Sequence, residues 1–176
     1  MREESGNGES LLRGDAVDPR GAELLTTLEG LVRGIPNPLT NLANAAAFLW
    51  ESLRDINWAG FYLLDRGSLW LGPFQGKPAC TRIELGKGVC GAAFERNCTL
   101  VVPDVHAFPG HIACDAASRA EIVVPLRMGD RAIGVLDIDS PRLNRFDERD
   151  RLLLEAAVRV LEAHCDYARC GYSLGI

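Results

Sequence analysis

The 176-residue sequence predicts a single α+β domain in which helices pack on an antiparallel sheet. Three observations predict it. Helical periodicity is confined to the two ends of the chain. Between them run short strand-like segments joined by tight turns. No ten-residue helix separates successive strands, which excludes a doubly wound parallel sheet. The length suits one domain with a core of its own. Residues 1–18 are polar and Gly-rich without periodicity and read as a mobile tail, leaving 19–176 as the domain.

The elements follow in order. Leu24, Leu25, Leu28, Leu31 and Val32 mark a helix over Ala22–Val32, ended by Pro36 and Pro38. A second helix is predicted over Pro36–Leu53, with Asn37 as its cap and Pro38 in its first turn. Trp58–Leu64 and Ser68–Gln75 read as a hairpin around Asp65-Arg66-Gly67. Cys80–Leu85 is a third strand. Gly86–Gly91 opens a short helical piece, Ala92–Arg96, and Cys98–Val102 is a fourth strand. Pro103–Arg119 is a loop whose length marks it as functional. Glu121–Met128 and Arg131–Asp139 form a last hairpin around Gly129-Asp130. A helix capped by Asp147 closes the domain, with Leu153, Ala157, Val160, Leu161 and His164 on one face.

Composition narrows the function. The formal net charge is −5, with 47% hydrophobic and 24% charged residues and no basic run, against a phosphate-tracking nucleic-acid binder. The most apolar stretch, Leu42–Trp50, is far shorter than the roughly 20 residues of a membrane span. MREESGNGES lacks the apolar segment of a signal peptide, so a cytoplasmic protein is expected. There, six cysteines read as thiols rather than as a disulfide scaffold.

The cysteines fall into two groups. Cys80, Cys90 and Cys114 lie beside turns and loops, whereas Cys98 begins a strand and Cys165 and Cys170 belong to the last helix. Members of the second group act as small hydrophobes. Two loop thiols that meet in space are the minimum for a reductase, in which one attacks and the other closes a disulfide. His106 and His111 share the long loop with Cys114, so zinc binding is an alternative use of these groups, although H-x4-H-x2-C is no recognised finger. No local motif supports a Cys–His peptidase. Gly86–Gly91 matches G-x-G-x-x-G, but no crossover helix follows, and the glycines read as a tight turn.

Asp137 and Asp139 alternate on one strand face with Ile133 and Val135, and Glu121 begins the neighbouring strand. Three clustered carboxylates repel, and burial raises their pKa values, so one can donate a proton near neutrality. Exposed strand ends paired with Arg119 or Arg131 are the alternative. Trp58 and Tyr62 share a face and suit either the core or the wall of a pocket.

The segments NWAGFYLL (57–64), LGPFQGKPACTRI (71–83), GVCG (88–91), VPDVHAFPGHIAC (102–114), EIVVPL (121–126) and GVLDIDSP (134–141) resemble the free methionine-(R)-sulfoxide reductases, which are small GAF-domain proteins. The likeness runs from about Pro36 to Asp150. It implies a single GAF-like domain that reduces free L-methionine-(R)-sulfoxide to methionine. It implies Cys114 as the attacking cysteine, Cys80 as the resolving one and Cys90 as a further redox-active thiol. Glu121, Asp137 and Asp139 would handle the sulfoxide oxygen and the amino group, and Trp58 and Tyr62 would surround the methyl. The likeness further implies a homodimer with no bound cofactor or metal, drawing electrons from thioredoxin and NADPH. Cys98, Cys165 and Cys170 go beyond the pattern. A ligand-binding sensor of the same fold and a zinc-bearing structural protein are the competing readings, and three loop cysteines beside an acidic strand end favour the enzyme.

Overall fold

The computed structural model describes residues 17–111 and 115–167; the expected tail up to residue 16, together with Cys114 and Cys170, lies outside them. Two helices open the chain, α1 (Pro19–Val32) and α2 (Pro38–Ser52). Then follow β1 (Trp58–Asp65), β2 (Ser68–Gly76), β3 (Arg82–Glu84), α3 (Gly88–Arg96), β4 (Leu100–Val102), β5 (Ala120–Met128), β6 (Arg131–Ser140) and α4 (Glu148–His164). The six strands form one antiparallel sheet in the order β3-β2-β1-β6-β5-β4. This is the expected α+β class.

Local chemistry explains the boundaries. α1 starts three residues before the expected Ala22, because Asp18 accepts a hydrogen bond from the Gly21 amide at 2.8 Å and Pro19 supplies the first helical position. In α2, Asn37 caps the Thr40 amide at 3.1 Å, which leaves Pro36 outside the helix. Asp147 and Asp150 form a reciprocal capping box on α4. The β1–β2 hairpin turns on Arg66 and Gly67, both left-handed, the pattern whose twist matches a tight hairpin.

The sheet alternates cleanly between two faces. Ala59, Phe61, Leu63, Ile122, Val124, Leu136 and Ile138 face α1, α2 and α4 in the larger core. Trp58, Tyr62, Val123 and Val135 face the other way, toward Val89, Cys90 and Ala93 of α3. Ile133 departs from its expected side. Leu126 pairs with Gly134 and Arg127 with Ala132, so Ile133 is the extra residue of a bulge and joins the helical core. Asp137 and Asp139 therefore share their face with Val135 but not with Ile133.

Several expected boundaries shift. α3 begins at Gly88, not Ala92, so Cys90 is helical and buried. The strand expected from Cys98 begins at Leu100, leaving Cys98 exposed. Cys80 lies in the loop before β3. Cys165 follows α4 as its C-terminal cap rather than lying within it. The inward apolar position of α4 is Leu154 rather than half-buried Leu153, and His164 reaches across to Glu29 of α1 at 3.1 Å. Among the described residues no helix is long and apolar enough to cross a membrane.

Candidate functional site

The smaller face of the sheet carries a pocket. Its floor is β5, β6 and β1; α3 forms one side, and residues 77–79 with Asp115 and Ser118 form the rim. All five side chains expected to bind substrate line it: Trp58, Tyr62, Glu121, Asp137 and Asp139. Cys90 lines it too.

Strand register explains the convergence. Glu121 pairs with Asp139, and Asp139 pairs with Trp58 on its other side. Asp137 pairs with Val123 and with Gly60, one step deeper into the sheet. Gly60 leaves that row open. A Cβ there would lie 2.4 Å from the Phe74 Cβ and 2.7 Å from Cη2 of Trp58, so only glycine lets the indole lie flat. Trp58 stacks with Phe74 at 5.4 Å and with Tyr62 at 5.9 Å between ring centroids. The polar edges of the two wall aromatics are also engaged. The Trp58 indole N–H donates to the Lys77 carbonyl at 3.1 Å, and the Tyr62 hydroxyl donates to the Cys80 carbonyl at 3.0 Å. The wall thus holds the segment that carries Cys80.

The floor is acidic. Burial pushes the Glu121 carboxyl well above the ordinary range, helped by the charges of Asp137 and Asp139. Asp137 is pushed up to about 7 by burial, opposed by hydrogen bonds with Cys90 and Glu121. Asp139 is pushed up by burial, then by Asp137 and by Asp115 at the rim. Among the described residues, neither Asp137 nor Asp139 pairs with a lysine or arginine. One Asp137 oxygen is buried with no hydrogen-bond partner. The cluster therefore carries one unsatisfied acceptor, on Asp137, and is not a set of exposed strand ends paired with arginine.

The thiols differ in state. Cys80 is disulfide-bonded, whereas Cys90, Cys98 and Cys165 are free. Burial, with Asp137 and Glu121 nearby, pushes the Cys90 thiol up, so it stays protonated. Its sulfur lies 3.9 Å from Glu121 Oε1. The donor atoms of Cys90, Glu121 and Asp137 fall within 4.8 Å of one another, a spacing that could hold a cation. All three are held toward their protonated forms, so a cation must displace protons to bind there.

The two loop histidines part company. His111 lines the pocket with Nε2 3.9 Å from Glu121 Oε2, and burial lowers its pKa. His106 faces solvent and hydrogen-bonds Asp104 at 3.1 Å. Sequence reasoning missed the rim residues Lys77, Asp115 and Ser118, and Asn57 behind them. Asn57 Nδ2 donates to Ser118 Oγ at 3.0 Å and to Asp115 Oδ2 at 3.3 Å, and Lys77 pairs with Asp115 at 3.2 Å. Asn57 and Lys77 fall within NWAGFYLL and LGPFQGKPACTRI, whereas Asp115 and Ser118 fall between the recognisable segments; nothing in composition separates the four from other polar residues.

Comparison with known proteins places the chain. The GAF domain family matches residues 23–165. The free methionine-R-sulfoxide reductase of Escherichia coli is 52% identical over 151 residues, 84% of this chain and 92% of that protein. The Saccharomyces cerevisiae protein of the same name is 44% identical, over 81% of this chain and 84% of its own. The X-ray structure of free methionine-R-sulfoxide reductase from Neisseria meningitidis in complex with its substrate superposes with a TM-score of 0.80 at 48% identity, covering 85% of this chain and 91% of that one.

Proposed function

Because this chain belongs to the free methionine-(R)-sulfoxide reductases of the GAF-domain family, a family of oxidoreductases, we propose that it reduces free L-methionine-(R)-sulfoxide to L-methionine with a cysteine nucleophile. The observation that carries the reading is the cluster of Glu121, Asp137 and Asp139 on the pocket floor beneath the Trp58–Tyr62 wall, whose Tyr62 hydroxyl holds the backbone of the disulfide-bonded Cys80.

The chemistry follows from those groups. A sulfoxide is a poor electrophile until its oxygen receives a proton or a strong hydrogen bond. Glu121 or Asp139, kept protonated by burial, supplies that proton. The Cys114 thiolate attacks the substrate sulfur, the protonated oxygen passes to the cysteine sulfur as the sulfoxide S–O bond breaks, and methionine leaves with a sulfenic acid on the enzyme. The Cys80 thiol condenses with it, releasing water and forming the disulfide. Cys90, buried and protonated, stands by as a further thiol. Two electrons and two protons from thioredoxin, drawn ultimately from NADPH, restore the dithiol. The working form in this reading is a homodimer in the cytoplasm with no bound cofactor, as the family likeness implies.

Selectivity for the free amino acid has a physical basis. Its ammonium answers the unpartnered Asp137 oxygen, and a peptide-bound methionine lacks that ammonium. The first turn of α3, with no side-chain cap on its amides, suits the substrate carboxylate.

Thioredoxin-coupled NADPH consumption, measured separately with the R and S epimers of free methionine sulfoxide, tests the reading. Turnover of the R epimer alone is expected. Equal turnover of both epimers, or none, contradicts it.

A further inference from the structure

Two chain segments carry the proposed thiol chemistry, and both are braced to the same place. The segment leading into Cys80 is held through its backbone, by the Trp58 indole at the Lys77 carbonyl and by the Tyr62 hydroxyl at the Cys80 carbonyl. The chain that follows Cys114 is held through side chains. Asp115 accepts from the Ala117 amide at 2.9 Å and from Asn57 Nδ2 at 3.3 Å, and pairs with Lys77 Nζ at 3.2 Å. Asn57 also donates to Ser118 Oγ, and its amide donates to the Asp139 carbonyl at 2.9 Å. Lys77, Asp115, Asn57 and Trp58 therefore close a ring, with Asn57 and Trp58 joined covalently and the other links made by hydrogen bonds and one ion pair.

We infer that Lys77 and Asn57 are positioning residues for the thiol chemistry: with Asp115 they form a latch that holds the Cys80 segment and the chain after Cys114 against the start of β1. The inference rests on the reductase reading above. Disulfide closure depends on how often two sulfurs meet, and bracing both segments to one strand raises their effective concentration. Lys77 lies at the rim of the pocket, outside the row of acids on its floor. Its side chain, 69% exposed, reaches the largely buried Asp115 side chain with its ammonium and joins the rim from outside. Loss of the latch leaves sulfoxide binding on the floor intact and weakens the disulfide.

The test equilibrates the full chain with graded mixtures of reduced and oxidised dithiothreitol, then traps and counts thiols. In that exchange dithiothreitol gives two electrons and two protons to the Cys80 disulfide and closes to its own cyclic disulfide. Lys77→Met and Asn57→Ala are each expected to shift the equilibrium toward the dithiol about tenfold, or about 30 mV. Lys77→Arg, which can rebuild the ion pair, is expected to stay within about twofold of wild type. Rapid quench with methionine sulfoxide adds a second readout. In Lys77→Met the rate of disulfide closure is expected to fall about tenfold relative to that of methionine release in the first turnover. Unchanged equilibria in Lys77→Met and Asn57→Ala overturn the latch, as does equal loss in Lys77→Arg and Lys77→Met. Should Asn57→Ala fail to fold, exposed Lys77 carries the test alone. The equilibrium arm uses no sulfoxide, so a wild type inert toward methionine sulfoxide sinks the reductase reading while the thiol count still decides the latch.

Discussion

Glu121 and Asp139 stand directly opposite each other on β5 and β6, and Asp139 stands opposite Trp58 on its other side. Like charges in that register repel, and burial removes the water that would screen them. The fold answers the conflict by shifting both carboxyls toward their protonated forms. The same arrangement places an acid and an aromatic edge side by side, the two features the proposed chemistry needs around a sulfoxide.

The first prediction is a pH-dependent stability. The Asp137 carboxyl is pushed from 3.8 up to about 7 by burial. Through that window the folded chain binds more protons than the unfolded one, so stability is full below about 4 and is lost as pH rises through about 7. Glu121 and Asp139 are pushed in the same direction and extend the loss upward. Asp115 and Asp147, held below the ordinary range by hydrogen bonds, act at lower pH and do not mask the trend. Calorimetry across this range is expected to show Tm falling, and Asp137→Asn to flatten the fall. An unchanged slope in that variant would assign the protons elsewhere.

The second prediction separates the two proposed catalytic thiols. Cys114→Ser is expected to release no methionine even in a single turnover, since a hydroxyl cannot replace the thiolate. Cys80→Ser is expected to release about one methionine per site and then stall. Peptide mapping after substrate addition is expected to join Cys80 to Cys114. Near-normal single-turnover yield from Cys114→Ser would move the nucleophile to Cys90 or Cys80. A mapped bond from Cys114 to Cys98, Cys165 or Cys170 would overturn the pairing.

A third prediction concerns Gly60. Real Cβ atoms do not approach other carbons as closely as the 2.4 Å to Phe74 and 2.7 Å to Trp58 that alanine would demand. Gly60→Ala must therefore tilt the indole or open the β1–β2 pair. Overpacking of this kind costs about 1–3 kcal/mol. The displaced indole is part of the substrate wall, so KM is expected to rise more than kcat falls. Urea unfolding and steady-state kinetics check both; wild-type values in the two together would mean that the wall is not closely packed at Gly60.

Much of the fold was legible because caps and alternation are local. Asn37 and Asp147 announced α2 and α4, and the alternation in IGVLDID placed both aspartates on one face. The α1 start was not read, because the Asp18-Pro19 cap precedes the apolar stripe that marks a helix. Ile133 leaves its expected face for a different reason. A bulge shifts the face of a residue without changing the sequence pattern, and its cause lies in the pairing with Leu126 and Arg127. The five pocket-lining residues were legible from strand spacing together with a family likeness. Lys77, Asn57 and Asp115 were not, because their meaning comes from contacts 38 and 58 residues apart.

The last prediction divides the roles of the three acids. Glu121→Gln, Asp137→Asn and Asp139→Asn keep the shape of the floor while removing a charge and an exchangeable proton. If one of them protonates the sulfoxide oxygen in the transition state, its loss lowers kcat and kcat/KM together, on the order of 10²–10⁴-fold. If one binds the substrate ammonium, its loss raises KM and shrinks the preference for free over N-acetylated methionine sulfoxide. Position assigns the roles. Glu121 and Asp139 stand in the row of Trp58, so the kcat effect is expected at one or both. Asp137 stands one step deeper with an unpartnered oxygen, so the KM effect and the lost discrimination are expected there. Kinetics of each variant with the free and N-acetylated substrates read both effects directly. Wild-type kcat/KM in all three variants would make the carboxylates structural and remove the proposed proton donor.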